Sequence, residues 1–160
     1  MLLLVGAGSM ALEYAKVLKA LDINYIVVGR GKKSAKNFSL ISGTKVYEGG
    51  LSNFLETKAP FVNKAIVAVS VENLKSTCVA LINYGIKNIL LEKPGGMNIH
   101  EVKELCKFVK KKKANVRIAY NRRYYASVLR VKNLIKNDRG VQSFNFEFTE
   151  WTHKVEKFKN

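Results

Sequence analysis

Five apolar residues, Met1 to Val5, run directly into Gly6-Ala7-Gly8-Ser9-Met10-Ala11, and apolar residues then recur at helical spacing through Met10, Tyr14, Val17, Leu18 and Leu21. This is G-x-G-x-x-A set between a strand and a helix. In that context the first glycine permits a tight turn, the second lets a diphosphate approach the backbone, and a small third residue lets the helix pack on the sheet. The free N–H groups at the helix start, at Ser9 and Met10, face an anion. Gly6, Gly8, Ser9 and Met10 are therefore candidate phosphate-binding residues. The plainer reading, a tight βα turn without a ligand, uses the same glycines.

Beyond the loop the chain alternates short β-branched runs with helical segments, the pattern of a parallel sheet covered by helices. Strands are expected at Met1–Val5, Tyr25–Val28, Lys45–Tyr47, Ala65–Val69, Asn88–Leu91 and Val116–Tyr120. A short helix is expected at Phe38–Ile41, and longer ones carry Leu74, Cys78, Leu81 and Ile82 up to Gly85, and Val102, Leu105, Cys106 and Val109. Six strands with their helices fill about 120 residues, the size of a complete dinucleotide-type α/β domain. The remainder reads differently. Val128, Val131, Leu134 and Ile135 mark a helix, Arg139-Gly140 a turn, and Val141–Trp151 a long strand with Phe144, Phe146 and Phe148 on one face. An aromatic stripe needs partner strands and a cover, so this strand is expected to open a second, truncated domain.

The end of the second strand bears on which dinucleotide is held. A carboxylate there takes the ribose hydroxyls of NAD. Here the strand ends Val27-Val28-Gly29-Arg30, no acidic residue lies between Asp22 and Glu48, and Arg30, Lys32, Lys33 and Lys36 crowd the loop. Arg30 can grip a 2′-phosphate bidentately, with Ser34 as a hydroxyl donor, so NADP is expected over NAD.

Of 160 residues, 28 are basic and 12 acidic, a formal net charge of +16, with +5 on the first 80 residues and +11 on the last 80. Such a surface favours polyanions, or else is a lysine bias spread over solvated faces. The run Lys110–Lys113 closes a helix whose C-terminal dipole already favours cations, and the chain has no nucleic-acid-binding signature, which argues against nucleic acid. There is no apolar stretch of roughly 18 residues to span a membrane. Two cysteines, Cys78 and Cys106, sit in helical patterns without metal-ligand spacing, so no metal site and a reducing, cytoplasmic location are expected.

Leu91-Glu92-Lys93-Pro94-Gly95-Gly96, with the glycine loop and Ala119-Tyr120-Asn121-Arg122-Arg123-Tyr124, resembles the Gfo/Idh/MocA family of oxidoreductases. The resemblance covers nearly the whole chain. It implies an α/β fold, a doubly wound parallel-sheet NAD(P)-binding Rossmann domain over residues 1–121. Residues 122–160 then supply the first helix and strand of an incomplete C-terminal substrate and dimerisation domain. It also implies hydride transfer between NAD(P) and a sugar, polyol or nucleotide-sugar carbon, and pairing of subunits through the C-terminal sheet.

By the same resemblance Lys93 is the catalytic lysine near the nicotinamide, Glu92 borders the cofactor, and Pro94 holds the turn, in the manner of a cis bond. Asn121 and Arg123 meet the nicotinamide amide or substrate, or serve the domain junction. The chain departs from the family where T-P-x-x-x-H is common and Ser70-Val71-Glu72-Asn73-Leu74-Lys75 stands instead, with Ser70 and Asn73 left to face the cofactor. Neither His100 nor His153 lies in a D-x-x-x-H motif, the family's usual source of a catalytic histidine. That gap keeps open a competing class, a non-catalytic dinucleotide-binding sensor or partner-binding module.

Overall fold

The computed structural model describes residues 1–57, 62–145 and 147. The chain divides into two compact units, Met1–Tyr120 and Asn121–Asn160.

In the first unit β1 (Leu2–Val5), β2 (Tyr25–Val28), β3 (Val46–Tyr47), β4 (Lys64–Val67), β5 (Asn88–Leu91) and β6 (Asn115–Ile118) form one sheet in the order β3-β2-β1-β4-β5-β6. Every pairing is parallel, with Val5 opposite Val28 on one side and Val67 on the other. Parallel neighbours need crossovers, supplied here by α1 (Ser9–Ala20), α2 (Lys32–Ser42), α3 (Gly50–Glu56), α4 (Leu74–Tyr84) and α5 (Ile99–Lys111). The α/β fold read from the sequence is thus present, with the strand order of a doubly wound dinucleotide-binding sheet.

Side chains alternate across the sheet, so the four central strands β1, β2, β4 and β5 feed two cores. On one face Leu4, Val27 and Ile66 meet Ala11, Ala15 and Leu18 of α1 and Ala35 and Phe38 of α2. On the other, Leu3, Val67, Ile89 and Leu91 meet Phe54 of α3, Leu74, Cys78 and Leu81 of α4 and Leu105 of α5. Burial on both faces is why these strands read as near-continuous apolar runs.

Four elements differ from expectation by more than a residue; one is β6, which ends at Ile118 and not at Tyr120. β4 ends at Val67, two residues early; the Ala68 amide still donates to Val5 O at 2.8 Å, and Ala68 and Val69 line a cleft. α2 runs Lys32–Ser42 where only Phe38–Ile41 was expected: the buried pair Ala35 and Phe38 anchors the helix, while Leu40 and Ile41 are exposed. α3 was not anticipated, although Leu51, Phe54 and Leu55 stand at i, i+3 and i+4 and pack on the sheet.

α5 begins with a variant of the capping box, in which the Glu101 carboxylate reaches the amide one residue before the N-cap Asn98. Asn98 Oδ1 accepts from the Glu101 amide at 3.0 Å and Glu101 Oε2 accepts from the Met97 amide at 2.8 Å. Its last turn holds Lys110 and Lys111, and Lys112 Nζ lies 5.7 Å from the Phe108 ring centroid, so much of the lysine run is placed by the helix end.

In the second unit a 3-10 turn (Asn121–Tyr124) precedes α6 (Ala126–Asn137), which buries none of its residues. The turn expected at Arg139-Gly140 is present, with φ of 56° and 103°. The strand expected over Val141–Trp151 is not seen at residues 141–145 and 147, whose backbone is irregular; the rest, with Phe146 and Phe148, lies outside the described residues. A strand exists only against a partner ladder, and among the described residues none pairs with this segment.

Candidate dinucleotide site

The C-terminal ends of β1, β2 and β4 surround a cleft of about 550 Å³. It lies where the strand order reverses, between β1 and β4, the place at which open α/β sheets take ligands.

β1 delivers the glycine loop. The Gly6 amide donates to Val28 O at 2.8 Å, which binds the loop to the neighbouring strand. Gly6 has φ +123°, and a Cβ there would stand 2.2 Å from the Ala68 carbonyl oxygen, so no other residue fits. Gly8 is different. Its φ is −92° and a Cβ would meet nothing within 4 Å, so protein packing does not demand glycine; the missing side chain leaves open room in the cleft wall. α1 has no side-chain cap and no acidic residue in its first turn, and the amides of Ser9 and Met10 therefore remain available to an anion. Ala11 is fully buried, which lets α1 sit close on the sheet.

β2 delivers Arg30. A Cβ on Gly29 would fall 2.9 Å from that of Ala7, so the chain is pressed against the glycine loop before Arg30 enters the wall. Ser34, in the first turn of α2, also lines the cleft, its hydroxyl donating to the Gly31 carbonyl at 2.9 Å. Lys32, Lys33 and Lys36 are exposed and form no part of the lining. The cationic crowd expected at this loop reduces, at the wall itself, to one guanidinium.

Ser70 and Asn73 close the β4 side. Ser70 Oγ donates to Glu72 Oε1 at 2.5 Å, and Asn73 Nδ2 donates to Ser70 Oγ at 2.9 Å. The Ser70 hydroxyl, a backbone hydrogen bond and the Arg30 charge hold the Glu72 carboxyl below its ordinary value. Glu72 thus stays ionised and keeps Ser70 and Asn73 in place.

The cleft therefore gathers Gly6, Gly8, Arg30, Ser34, Ser70 and Asn73. Ser9, Met10, Glu92 and Lys93 are not in its lining. Glu92 and Lys93 sit at the end of β5, where Glu92 is buried, Lys93 is exposed and the Lys93–Pro94 bond is cis. Asn121 is exposed in the second unit, and Arg123 there lies over the Tyr124 ring, 5.1 Å from its centroid. His100 is exposed on α5, 3.2 Å from Glu104; His153 is outside the described residues.

Besides Val5, Ala7, Val28, Gly31, Ala68 and Val69, which flank the predicted residues in sequence, the lining includes two groups that sequence reasoning missed: Gly50, Leu51 and Ser52 at the start of α3, and Ser76, Thr77 and Ala80 on α4. The first three were hidden with α3 itself. The others carried a signal, since they are the small residues of α4 lying off its buried stripe of Leu74, Cys78 and Leu81.

These residues suit a dinucleotide. An open face at Gly8, uncapped amides at the start of α1, and a guanidinium with no carboxylate among the described residues of the wall make a cradle for phosphates. No metal-binding group of three or more His, Cys, Asp or Glu occurs among the described residues.

No curated protein sequence matches the chain significantly. Solved structures share its fold. The WlbA dehydrogenase from Chromobacterium violaceum, in complex with NADH and UDP-GlcNAcA, superposes with TM-score 0.74 at 19% identity over 86% of this chain and 40% of that one. GenD2 from gentamicin A biosynthesis, in complex with NAD, gives 0.74 at 21% over 89% and 40%, and myo-inositol 2-dehydrogenase from Lactobacillus plantarum gives 0.74 at 17% over 86% and 41%. The chain spans about 40% of the length of these structures. The model of an oxidoreductase family with an NAD-binding Rossmann fold matches residues 2–120, and on that match the chain belongs to the Gfo/Idh/MocA family.

Proposed function

We propose that this chain is the cofactor-binding half of an NADP-preferring oxidoreductase acting on a sugar, polyol or nucleotide sugar. One observation carries the cofactor preference. Among the described residues the wall of the cleft holds a single charged side chain, Arg30 at the end of β2, where a carboxylate would serve NAD. NADH and NAD in the structural neighbours support a dinucleotide; the arginine supports the extra phosphate on it.

Gly8 and the amides of Ser9 and Met10 hold the diphosphate, Arg30 and Ser34 hold the 2′-phosphate, and Ser70 and Asn73 border the ribose. When bound, the dinucleotide supplies the hydride acceptor or donor. Lys93, projecting from the end of β5 beside Glu92, polarises the reacting oxygen and helps move its proton. UDP-GlcNAcA and the name myo-inositol 2-dehydrogenase among the neighbours support a sugar or cyclitol substrate. Two free cysteines support a reducing compartment, the cytoplasm, and among the described residues no helix is long and apolar enough to cross a membrane.

Calorimetric titration of the purified chain with NADPH and NADH tests this. NADPH is expected to bind at least about tenfold tighter, roughly one charge-assisted pair, and Arg30→Asp to reverse the order. Equal or tighter NADH binding by the parent refutes the preference. Polyol-dependent NADP reduction that survived Lys93→Ala would refute the role of Lys93.

A further inference from the structure

α1 carries the glycine loop at its start, and little more than a turn further along it carries Tyr14. The Tyr14 phenol donates a 2.5 Å hydrogen bond to Glu92 Oε1, joining residues 78 apart in sequence. Glu92 is the one buried polar or charged side chain among the described residues, at 8% exposure. A buried carboxylate is costly unless a donor meets it, and among the described residues Tyr14 is the side chain that does. Burial, then the Glu92 carboxylate, pushes the Tyr14 hydroxyl well above its ordinary value, so it remains a donor throughout the neutral range.

The backbone around Glu92 is already held. Its amide donates to Val67 O at 3.0 Å and its carbonyl accepts from the Gly95 amide at 3.1 Å. With the main chain fixed on both sides, Tyr14 settles where the carboxylate lies, beside the point at which Lys93 leaves the sheet.

Strand order says which part of a ligand that corner meets. Arg30 follows β2 and Glu92 follows β5, on opposite sides of the glycine loop after β1. A dinucleotide whose diphosphate rests on the loop extends its adenosine half toward β2 and its nicotinamide half toward β4 and β5.

We propose that Tyr14 is a positioning residue for the nicotinamide half of the dinucleotide, fixing the Glu92 carboxylate and the corner from which Lys93 projects. The proposal rests on the reading of the cleft as a dinucleotide site. It requires that loss of the phenol be felt by a ligand carrying nicotinamide and not by one lacking it.

The test uses the whole 160-residue chain, its Tyr14→Phe and Glu92→Gln variants and the double variant. Each is titrated calorimetrically with NADPH and with 2′-phospho-ADP-ribose, which lacks only the nicotinamide, and circular dichroism monitors folding. Tyr14→Phe keeps the ring and is expected to weaken NADPH about fivefold to tenfold, because the Glu92 carboxylate is no longer fixed, while 2′-phospho-ADP-ribose changes less than about twofold. Glu92→Gln is expected to show the same selectivity, and the double variant to lose no more than Glu92→Gln alone. Parallel weakening of both ligands would mean that α1 has merely shifted, and it overturns the proposal, as does unchanged NADPH affinity in Tyr14→Phe or full additivity in the double variant. Failure of the parent to bind either ligand is a different result, which removes the dinucleotide reading and this proposal with it.

Discussion

Gly6 and Gly8 stand two residues apart in one loop, and the structure assigns them opposite reasons for being glycine. A methyl group on Gly6 would lie 2.2 Å from Ala68 O and 2.8 Å from Ala68 C, both backbone atoms, at φ +123°. The dihedral alone costs an alanine about 1–2 kcal/mol, and forcing the β1 and β4 loops apart adds about 1–3 kcal/mol. The total is ~2–5 kcal/mol, or a fall in Tm of ~6–15 °C at ~3 °C per kcal/mol for a chain of this size. Gly8 has no neighbour within 4 Å of a Cβ and a φ any residue adopts. Gly8→Ala is therefore expected to leave stability within about 0.5 kcal/mol of the parent. Its methyl occupies the space a diphosphate would use, and NADPH affinity is expected to fall at least about tenfold, or ~1.4 kcal/mol. Differential scanning fluorimetry measures the first effect and titration calorimetry the second. If Gly8→Ala melts as early as Gly6→Ala, or binds NADPH as the parent does, the assignment of the loop is wrong.

Other outcomes follow from the same structure. Asn98→Ala removes the acceptor for the Glu101 amide at the start of α5 and should cost about 1 kcal/mol, a fall of ~3 °C by thermal melting. Cys78 is fully buried and burial pushes its thiol up to about 12, whereas Cys106 is exposed. Ellman's reagent at neutral pH should titrate Cys106 in the native chain and Cys78 only after denaturation. Since the Cys78 shift is upward, its contribution to stability is full below the unfolded thiol's value and declines as pH rises toward about 12; Cys78→Ala should flatten that alkaline decline in chemical melts. Glu104 is held below its ordinary value by Lys75 first and then His100. Its contribution is present above the ordinary carboxylate range and fades as pH falls through the lowered value, so Glu104→Gln should narrow the difference in Tm between neutral and acid solution.

Where burial on both faces wrote a continuous apolar run, as in Leu2–Val5, Tyr25–Val28 and Asn88–Leu91, the strands were legible to within a residue. The glycine loop was legible because its chemistry is local: turn, small residue and helix start all fall within six positions. α3 was obscured because two glycines open it and only seven residues form it, too short for a period to stand out. The contribution of Ser76, Thr77 and Ala80 was illegible for another reason: α4 reads from sequence by its buried stripe, and only the crossover geometry shows that its other face lines the cleft. The same holds for Tyr14, which sits at helical spacing among core residues and gives no sign of a carboxylate 78 positions away. The aromatic stripe at Phe144 was a warning of a different kind, since periodicity specifies a face and not the partner that turns a segment into a strand.

The most direct test of the central claim is a crystal structure of this chain grown with NADPH. The account requires the diphosphate on the amides of Gly8, Ser9 and Met10 and the 2′-phosphate within hydrogen-bond reach of the Arg30 guanidinium. A cleft filled by its own side chains, or a nucleotide bound away from the glycine loop, would contradict it.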